Sequence, residues 1–163
     1  MIIRDAAASD LPEILAIYNA AIPGHTATAD TQPVTVESRR AWFLEHHPRA
    51  RPLWVALDND AILGWLSFQS FYGRAAYHAT AELSIYVSPE HQRQGIGNAL
   101  LAQAVEQAPR LGLKTLLGFI FAHNMASLCL FEKFGFQRWA VLPGVAELDG
   151  LERDLVIVGL RLA

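Results

Sequence analysis

The sequence is poor in cysteine. Cys129 stands alone among 163 residues, which excludes an internal disulfide and a multi-cysteine zinc site and fits a reducing compartment. There is no excess of basic residues either. Thirteen Lys and Arg against sixteen Asp and Glu leave a formal charge of −3, so no positive field is available for a phosphate backbone and no nucleic-acid partner is expected. Long apolar runs are also missing. The longest stretch without Asp, Glu, Lys or Arg, Thr115 to Phe131, is interrupted by His123 and Asn124 before it reaches the roughly 20 apolar residues of a membrane helix. No membrane partner is expected. The opening decapeptide MIIRDAAASD carries Asp5 and Asp10 and no apolar h-region, so a cytoplasmic location is the expectation. His25, His46 and His47 lack a partner spacing that defines a metal site, and no serine stands in G-x-S-x-G; the histidines read as surface or packing residues and no metal is expected.

What is present suits one domain spanning residues 1–163, with 52% hydrophobic residues, four Trp, four Tyr and eight Phe, enough to bury about two-thirds of the unfolded surface. Ile2 to Arg4 reads as a strand. Asp10 with Glu13 makes a capping-box pattern ahead of Leu11, Ile14, Leu15, Ile17 and Tyr18 at helical spacing, predicting a first helix that ends before Pro23-Gly24. Gly24 to Pro33 is small and polar, a loop, and Thr35 is placed to cap a second helix through Leu44. Leu53 to Leu57 and Ile62 to Phe71 read as strands around an Asp58-Asn59-Asp60 turn, and Thr80 to Val87 as a third strand stopped by Ser88-Pro89. A helix over Asn98 to Leu111, a strand over Thr115 to Phe121, a helix over Asn124 to Phe134, and strands over Phe136 to Val145 and Asp154 to Leu162 complete the order.

Between the Thr80 to Val87 strand and the next helix lies Gln92-Arg93-Gln94-Gly95-Ile96-Gly97. Gly95 and Gly97 allow a backbone to curl and approach a ligand, while a helix N-terminus presents unpaired N–H groups and positive dipole. Arg93 adds a full positive charge. Such a cradle suits an anion; a glycine-containing loop that merely starts a helix is the alternative. Neither a Walker loop nor G-x-G-x-x-G is present.

This hexapeptide resembles the Q/R-x-x-G-x-G/A signature of the Gcn5-related N-acetyltransferase (GNAT) superfamily. A second block, Asn124, Ala126-Ser127, Leu130 and Phe131-Glu132-Lys133-Phe134-Gly135-Phe136, is similar to that family's N-x-x-S-x-x-x-[YF]-E-K-x-G-F segment. Glu82 to Arg93 looks most like the phosphinothricin and methionine sulfoximine acetyltransferase subgroup. The resemblance spans the chain. It implies an α/β (α+β) GNAT fold: a central mixed, mostly antiparallel twisted sheet of about seven strands flanked by about four helices.

It further implies an acetyl-CoA-dependent N-acetyltransferase acting by direct attack of a small-molecule primary amine, with an amino acid or analogue of the phosphinothricin or methionine sulfoximine type as the expected acceptor. By match, the pantetheine arm runs beside Ile85, Tyr86 and Val87. The pyrophosphate sits on the amides of Arg93, Gln94, Gly95, Ile96, Gly97 and Asn98. Asn124 and Ser127 contact the pantetheine or the thiol end, although Asn124 is equally suited to cap a helix. Glu82 matches the general base, which the chemistry needs because a protonated amine is not a nucleophile; a solvated cross-strand charge is the other reading. Arg74 and Tyr77 fall where the subgroup has an arginine and tyrosine near the acceptor, the alternative being a solvated turn. A homodimer is implied.

Some positions depart from the pattern. Phe131 stands where many members have the tyrosine that protonates the departing thiolate. Ala29 replaces an aromatic near the acceptor, and Leu148, Asp149 and Glu152 precede Asp154 where the subgroup has basic and aromatic residues. Cys129 reads as a small packed residue that the mechanism does not need. These departures keep open a polyamine, an aminoglycoside or a protein amine as acceptor, or a non-catalytic acyl-CoA-binding module.

Overall fold

The computed structural model describes residues 1–163. Its sheet comprises β1 (Ile2–Asp5), β2 (Leu53–Asp58), β3 (Ala61–Ser70), β4 (Thr80–Val87), β5 (Thr115–Phe121), β6 (Gln137–Leu148) and β7 (Leu151–Arg161). The helices are α1 (Leu11–Ala21), α2 (Val36–Leu44), α3 (Ile96–Gln107) and α4 (Met125–Lys133). The strand order is β1-β2-β3-β4-β5-β7-β6, and every neighbouring pair is antiparallel except β4 with β5. The expected mixed, mostly antiparallel seven-stranded sheet with four helices is therefore observed.

Burial on both faces explains why β3 reads AILGWLSF without polar alternation. On one face Leu66 and Phe68 join Leu83, Leu100, Leu101, Leu116 and Leu128 in the larger core, beneath α3 and α4. On the other, Trp65 and Val55 meet Ile14 and Ile17 of α1, with Trp42 and Phe43 of α2 packed alongside. A fully buried side chain of this kind contributes about 1.5–3 kcal/mol. The two faces thus carry different work: α3 and α4 close one, and α1 and α2 only partly cover the other.

Local chemistry sets the boundaries, and in several places it differs from the sequence reading. Asp10 does not cap α1 in partnership with Glu13. It ends a 3-10 turn whose N-cap is Ala7, and its carboxylate accepts from the Ala7 N–H at 2.7 Å and from Arg4 Nη1 at 2.7 Å. Glu13 instead accepts the Ile62 N–H at 3.3 Å. Thr35 does cap α2, its Oγ1 accepting from the Ser38 N–H at 3.1 Å. The turn expected over Asp58-Asn59-Asp60 is tighter, a two-residue turn at Asn59 and Asp60 with φ of 47° and 69°, the left-handed pair that hairpin twist favours, while Asp58 pairs with Ala61 in the ladder. The α3 helix begins at Ile96, two residues before the expected Asn98, and gives way to a 3-10 turn over Ala108–Leu111, where Pro109 cannot continue α-helical hydrogen bonding.

The last two strands are longer than expected. Periodicity stopped β6 at Val145 and began β7 at Asp154, whereas the pair closes on a second two-residue turn at Asp149-Gly150, with φ of 52° and 74°. The intervening irregularity at Leu142 to Ala146 hides the alternation; there the Gly144 N–H donates to Asp154 Oδ1 at 2.8 Å. Cys129, expected to be packed, is exposed on α4, because Leu128 and Phe131 occupy that helix's buried face.

Candidate active site

The parallel pair β4 and β5 stays in register for three residues only, Thr80 with Thr115, Ala81 with Leu116 and Glu82 with Leu117. Beyond that point the strands diverge although β4 continues to Val87 and β5 to Phe121. The wedge between Leu83–Val87 and the end of β5 leaves β4 backbone groups without a strand partner on that side, an edge able to pair with an extended ligand. Ile85, Tyr86 and Val87 all lie in this splayed half.

At the wide end of the wedge the Gln92–Gly95 segment leads into α3. Arg93 and Gly95 both adopt left-handed backbone, with φ of 62° and 81°, and Arg93, Gln94 and Gly95 are exposed. None of the N–H groups from Arg93 to Asn98 has a backbone acceptor; the first amide so engaged is Ala99, which donates to the Gly95 carbonyl at 2.9 Å. These free donors at a helix start form an anion cradle. The two glycines differ in purpose. A Cβ on Gly95 meets open space, whereas one on Gly97 stands 3.3 Å from Leu130 Cδ2 and 3.8 Å from Val87 Cγ2, so Gly97 serves close packing of α3 on α4. The Asn98 side chain accepts from Lys133 Nζ at 2.9 Å.

At the narrow end stands Glu82. The register opposes Trp65 to Tyr86, Ser67 to Ser84 and Gln69 to Glu82, and alternation puts these six side chains on the face under α1 and α2. A groove follows this ladder. One part of it is a small cavity of about 150 Å³ bounded by Tyr18, Trp42, Trp65, Ser84 and Tyr86, with Gln69 shared with the next. The other part, about 620 Å³, is lined by Glu45, His46, Arg51, Gln69, Ser70 and Glu82. Glu82 makes no salt bridge, and burial pushes its carboxyl above the ordinary range. Burial also lowers the pKa of His46, whose Nδ1 lies 2.9 Å from the Trp42 carbonyl and whose Nε2 is enclosed without a partner.

The loop after α1 closes over the groove. The Tyr86 hydroxyl donates to the Ala27 carbonyl at 3.0 Å, and its ring stacks on Trp65 at 4.8 Å and meets Tyr18 at 5.0 Å. The Tyr18 hydroxyl bonds Thr28 Oγ1 at 2.6 Å and donates to Asp30, which Arg39 pairs at 3.0 Å. Burial raises both tyrosine pKa values. From β5–α4, His123 Nε2 contacts the His25 carbonyl at 2.8 Å and Asn124 Nδ2 donates to the Thr26 carbonyl at 3.4 Å. Asn124 is also the N-cap of α4, its Oδ1 accepting from the Ser127 N–H at 3.2 Å.

The structure therefore gathers Glu82, Ile85, Tyr86, Val87 and Arg93 to Asn98 along one strand and the helix that follows it, with Asn124 and Ser127 at the start of α4. Arg74 and Tyr77 are apart from this group. Both are exposed in the β3–β4 loop, Tyr77 against Phe71 at 5.3 Å, and neither lines the Glu82 cavity. Phe131 is 4% exposed and packs on Phe136 at 4.9 Å, so it belongs to the core. Arg51, Gln69 and Ser84 carry no site expectation in the sequence, and His46 reads there only as a surface or packing residue. For Gln69 and Ser84 the alternation with Glu82 and Tyr86 was a usable signal; Arg51 and His46 come from distant segments and had none.

Known proteins align with this arrangement. Residues 14–136 match the acetyltransferase (GNAT) family model. The "Putative phosphinothricin acetyltransferase YwnH" of Bacillus subtilis (strain 168) is 48% identical over 100% of both chains. The L-methionine sulfoximine/L-methionine sulfone acetyltransferase of Pseudomonas paraeruginosa is 35% identical, covering 98% of this chain and 94% of that one. Among solved structures, a GNAT superfamily phosphinothricin acetyltransferase from Sinorhizobium meliloti, in complex with AcCoA, superposes with a TM-score of 0.93 at 29% identity, covering 99% of this chain and 88% of that one.

Proposed function

The chain belongs to the acetyltransferase (GNAT) family, and from that premise we propose that it moves the acetyl group of acetyl-CoA onto the primary amine of a small amino acid or analogue of the phosphinothricin or methionine sulfoximine type. The observation that carries this reading is Glu82: a half-buried carboxyl without an ion-pair partner, standing where the β4–β5 ladder ends and lining the cavity beside it.

In this reading the pantetheine arm pairs with the free edge at Ile85 to Val87. The pyrophosphate takes the unpaired amides of Arg93, Gln94, Gly95, Ile96, Gly97 and Asn98, with the Arg93 charge beside them. The helix dipole contributes about 0.3–1 kcal/mol to an exposed anion there. Ser127 lines the thiol end, and Asn124 acts through its cap, which fixes the first turn of α4.

The acceptor arrives from the groove as an ammonium. Glu82, directly or through one water, takes its proton; a carboxyl raised toward the working pH is a stronger base than an ordinary one. The free amine attacks the thioester carbonyl, a C–N bond forms, and the carbonyl π pair moves to oxygen, where β4 N–H groups lower its energy. Collapse breaks the C–S bond and expels the thiolate, and the second proton of the attacking nitrogen, acidic once the C–N bond has formed, is relayed through water to the sulfur; a thiol pKa of about 8.5 makes this departure tolerable without a tyrosine at position 131. No covalent enzyme intermediate is involved, and holding both reactants in one cleft supplies much of the acceleration.

We read residues 1–163 as one catalytic unit, cytoplasmic, working as a homodimer. The exposed apolar side chains Trp139, Val141, Val145 and Leu151 on the β6–β7 edge support that pairing. The test of the function is thiol release from acetyl-CoA against a panel of amino acids, sulfoximines, polyamines and peptides. Release with the amino-acid analogues is the expected result. Tight acetyl-CoA binding with no release from any amine would leave only a binding module, and release confined to polyamines or peptides would move the acceptor class.

A further inference from the structure

Arg51 precedes β2, far in sequence from every motif, and it is held unusually firmly for a charged side chain. Its backbone exchanges two hydrogen bonds with His47, both at 2.9 Å, and the fully buried Pro52 follows it. Its guanidinium is anchored on three sides: Nε donates to Ser70 Oγ at 3.1 Å, Nη1 to the Ala50 carbonyl at 2.9 Å and Nη2 to the His78 carbonyl at 2.7 Å. All three acceptors are neutral. No carboxylate lies within 4.0 Å, although Glu45 and Glu82 line the same cavity. Two of the five guanidinium N–H groups, one on each Nη, are left over.

A half-buried cation that is hydrogen-bonded but not neutralised carries a desolvation cost that an incoming anion offsets. A planar fork already fixed in orientation loses little entropy on binding one. The same cavity holds Glu82, which lacks a cation just as Arg51 lacks an anion. A zwitterion set between them satisfies both.

We infer that Arg51 is the residue that recognises the carboxylate of the acceptor, and that the groove takes amines bearing a carboxylate on the same small molecule, with the ammonium toward Glu82 and the acid toward Arg51. This rests on the small-amine acetyltransferase reading and narrows it. It gives the carboxylate to Arg51 and not to Arg74, the arginine that resemblance puts near the acceptor, which is exposed, makes no hydrogen bond through its side chain and lies outside the cavity lining.

The plain alternative is that Arg51 is a brace, tying the β3–β4 loop to the start of β2 through Ser70 and His78. The experiment separates the two by varying enzyme and substrate together. Values of kcat/KM are measured for L-methionine sulfone and for its decarboxylated amine, with wild type, Arg51→Met, Arg51→Lys and Arg74→Met. Charge-assisted hydrogen bonds of this type predict a fall of roughly 10- to 150-fold for Arg51→Met on the amino acid, mostly in KM. The decarboxylated amine should change by less than about threefold, Arg51→Lys should recover part of the loss, and Arg74→Met should keep the wild-type preference for the acid.

Equal losses of Arg51→Met on both substrates make Arg51 a brace and overturn the inference. So does a wild type that handles the decarboxylated amine as well as the acid, a comparison that needs no variant to fold. Loss of the preference in Arg74→Met alone returns the role to that residue. Thiol release with neither these nor any other amine would instead overturn the acetyltransferase reading beneath it, and is distinct from all three.

Discussion

Replacing Glu82 by Gln keeps the size and most of the polarity of the side chain while removing its capacity to accept a proton. The site opposes Glu82 to Gln69 across the β3–β4 ladder, half-buries it and gives it no cation, so the change breaks no ion pair. At pH 7 the variant should lose about 10²- to 10⁴-fold in kcat/KM, the usual worth of a general base, or about 2.7–5.4 kcal/mol at 1.36 kcal/mol per decade. The loss should shrink as pH rises. An amine of pKa about 10 gains roughly a hundredfold in its neutral fraction between pH 7 and 9, and once neutral it needs no base before attack. Stability should move the other way. Burial raises the folded-state pKa of Glu82, so between the ordinary and the raised value the folded state binds more protons than the unfolded, and stability falls as pH rises through that window. Above it the full cost of a buried charge is present. Glu82→Gln should therefore melt higher than wild type at pH 7, with the advantage fading by pH 4. Steady-state kinetics from pH 6 to 9 and thermal melts at the two pH values test both halves. Near-wild-type turnover at pH 7, or a loss of the same size at every pH, would refute the assignment of Glu82 as base.

Three further outcomes follow from particular contacts. Gly95→Glu projects a carboxylate from a left-handed position into open space beside the free amides, so KM for acetyl-CoA should rise at least tenfold while backbone strain costs about 1–2 kcal/mol; Gly97→Ala, which crowds Leu130 Cδ2, should affect stability more than coenzyme affinity, and isothermal titration with urea melts distinguishes them. Asp10 has its pKa lowered by the hydrogen bond from Arg4 and then by that from the Ala7 N–H, so its contribution is present above the ordinary carboxylate value and is lost as pH falls through the lowered one. Asp10→Asn should cost about 1–2 kcal/mol at pH 7, the lower part of the range for such bonds because Arg4 is largely exposed, and melts should show the difference closing in acid. Cys129→Ala removes an exposed thiol and should change stability by less than about 0.5 kcal/mol and leave turnover intact; inactivation of a folded variant would mean that the thiol takes part.

Legibility followed the range of the interactions. The Thr35 cap and the Asn59-Asp60 turn are satisfied within a few residues, and so are predictable from neighbours. Asp10 looked like a cap by the same logic, but Arg4 and Ala7 captured its carboxylate and left Glu13 to a contact with Ile62, 49 residues away. The end of α3 was masked because its apolar stripe persists through a change of helix type at Pro109. Cys129 looked packed because its sequence neighbours are apolar, although on a helix adjacent residues face different directions.

By itself the sequence determined the order of elements, the strand-loop-helix that presents free amides after β4, and the position of Glu82 on that strand, since all of these depend on contiguous residues. Only the tertiary structure decided how far β4 and β5 stay paired, and hence where the wedge opens. It also decided which side chains share the groove with Glu82. Arg51 and His46 arrive there through the turn after α2, Gln69 through strand register and Tyr18 through the packing of α1, and contacts between such distant segments are fixed by how the sheet and helices close on one another, which no local pattern encodes. The exposure of Arg74 at the start of the Ala75–Tyr77 turn is likewise a fact of the β3–β4 connection that the motif around it does not encode.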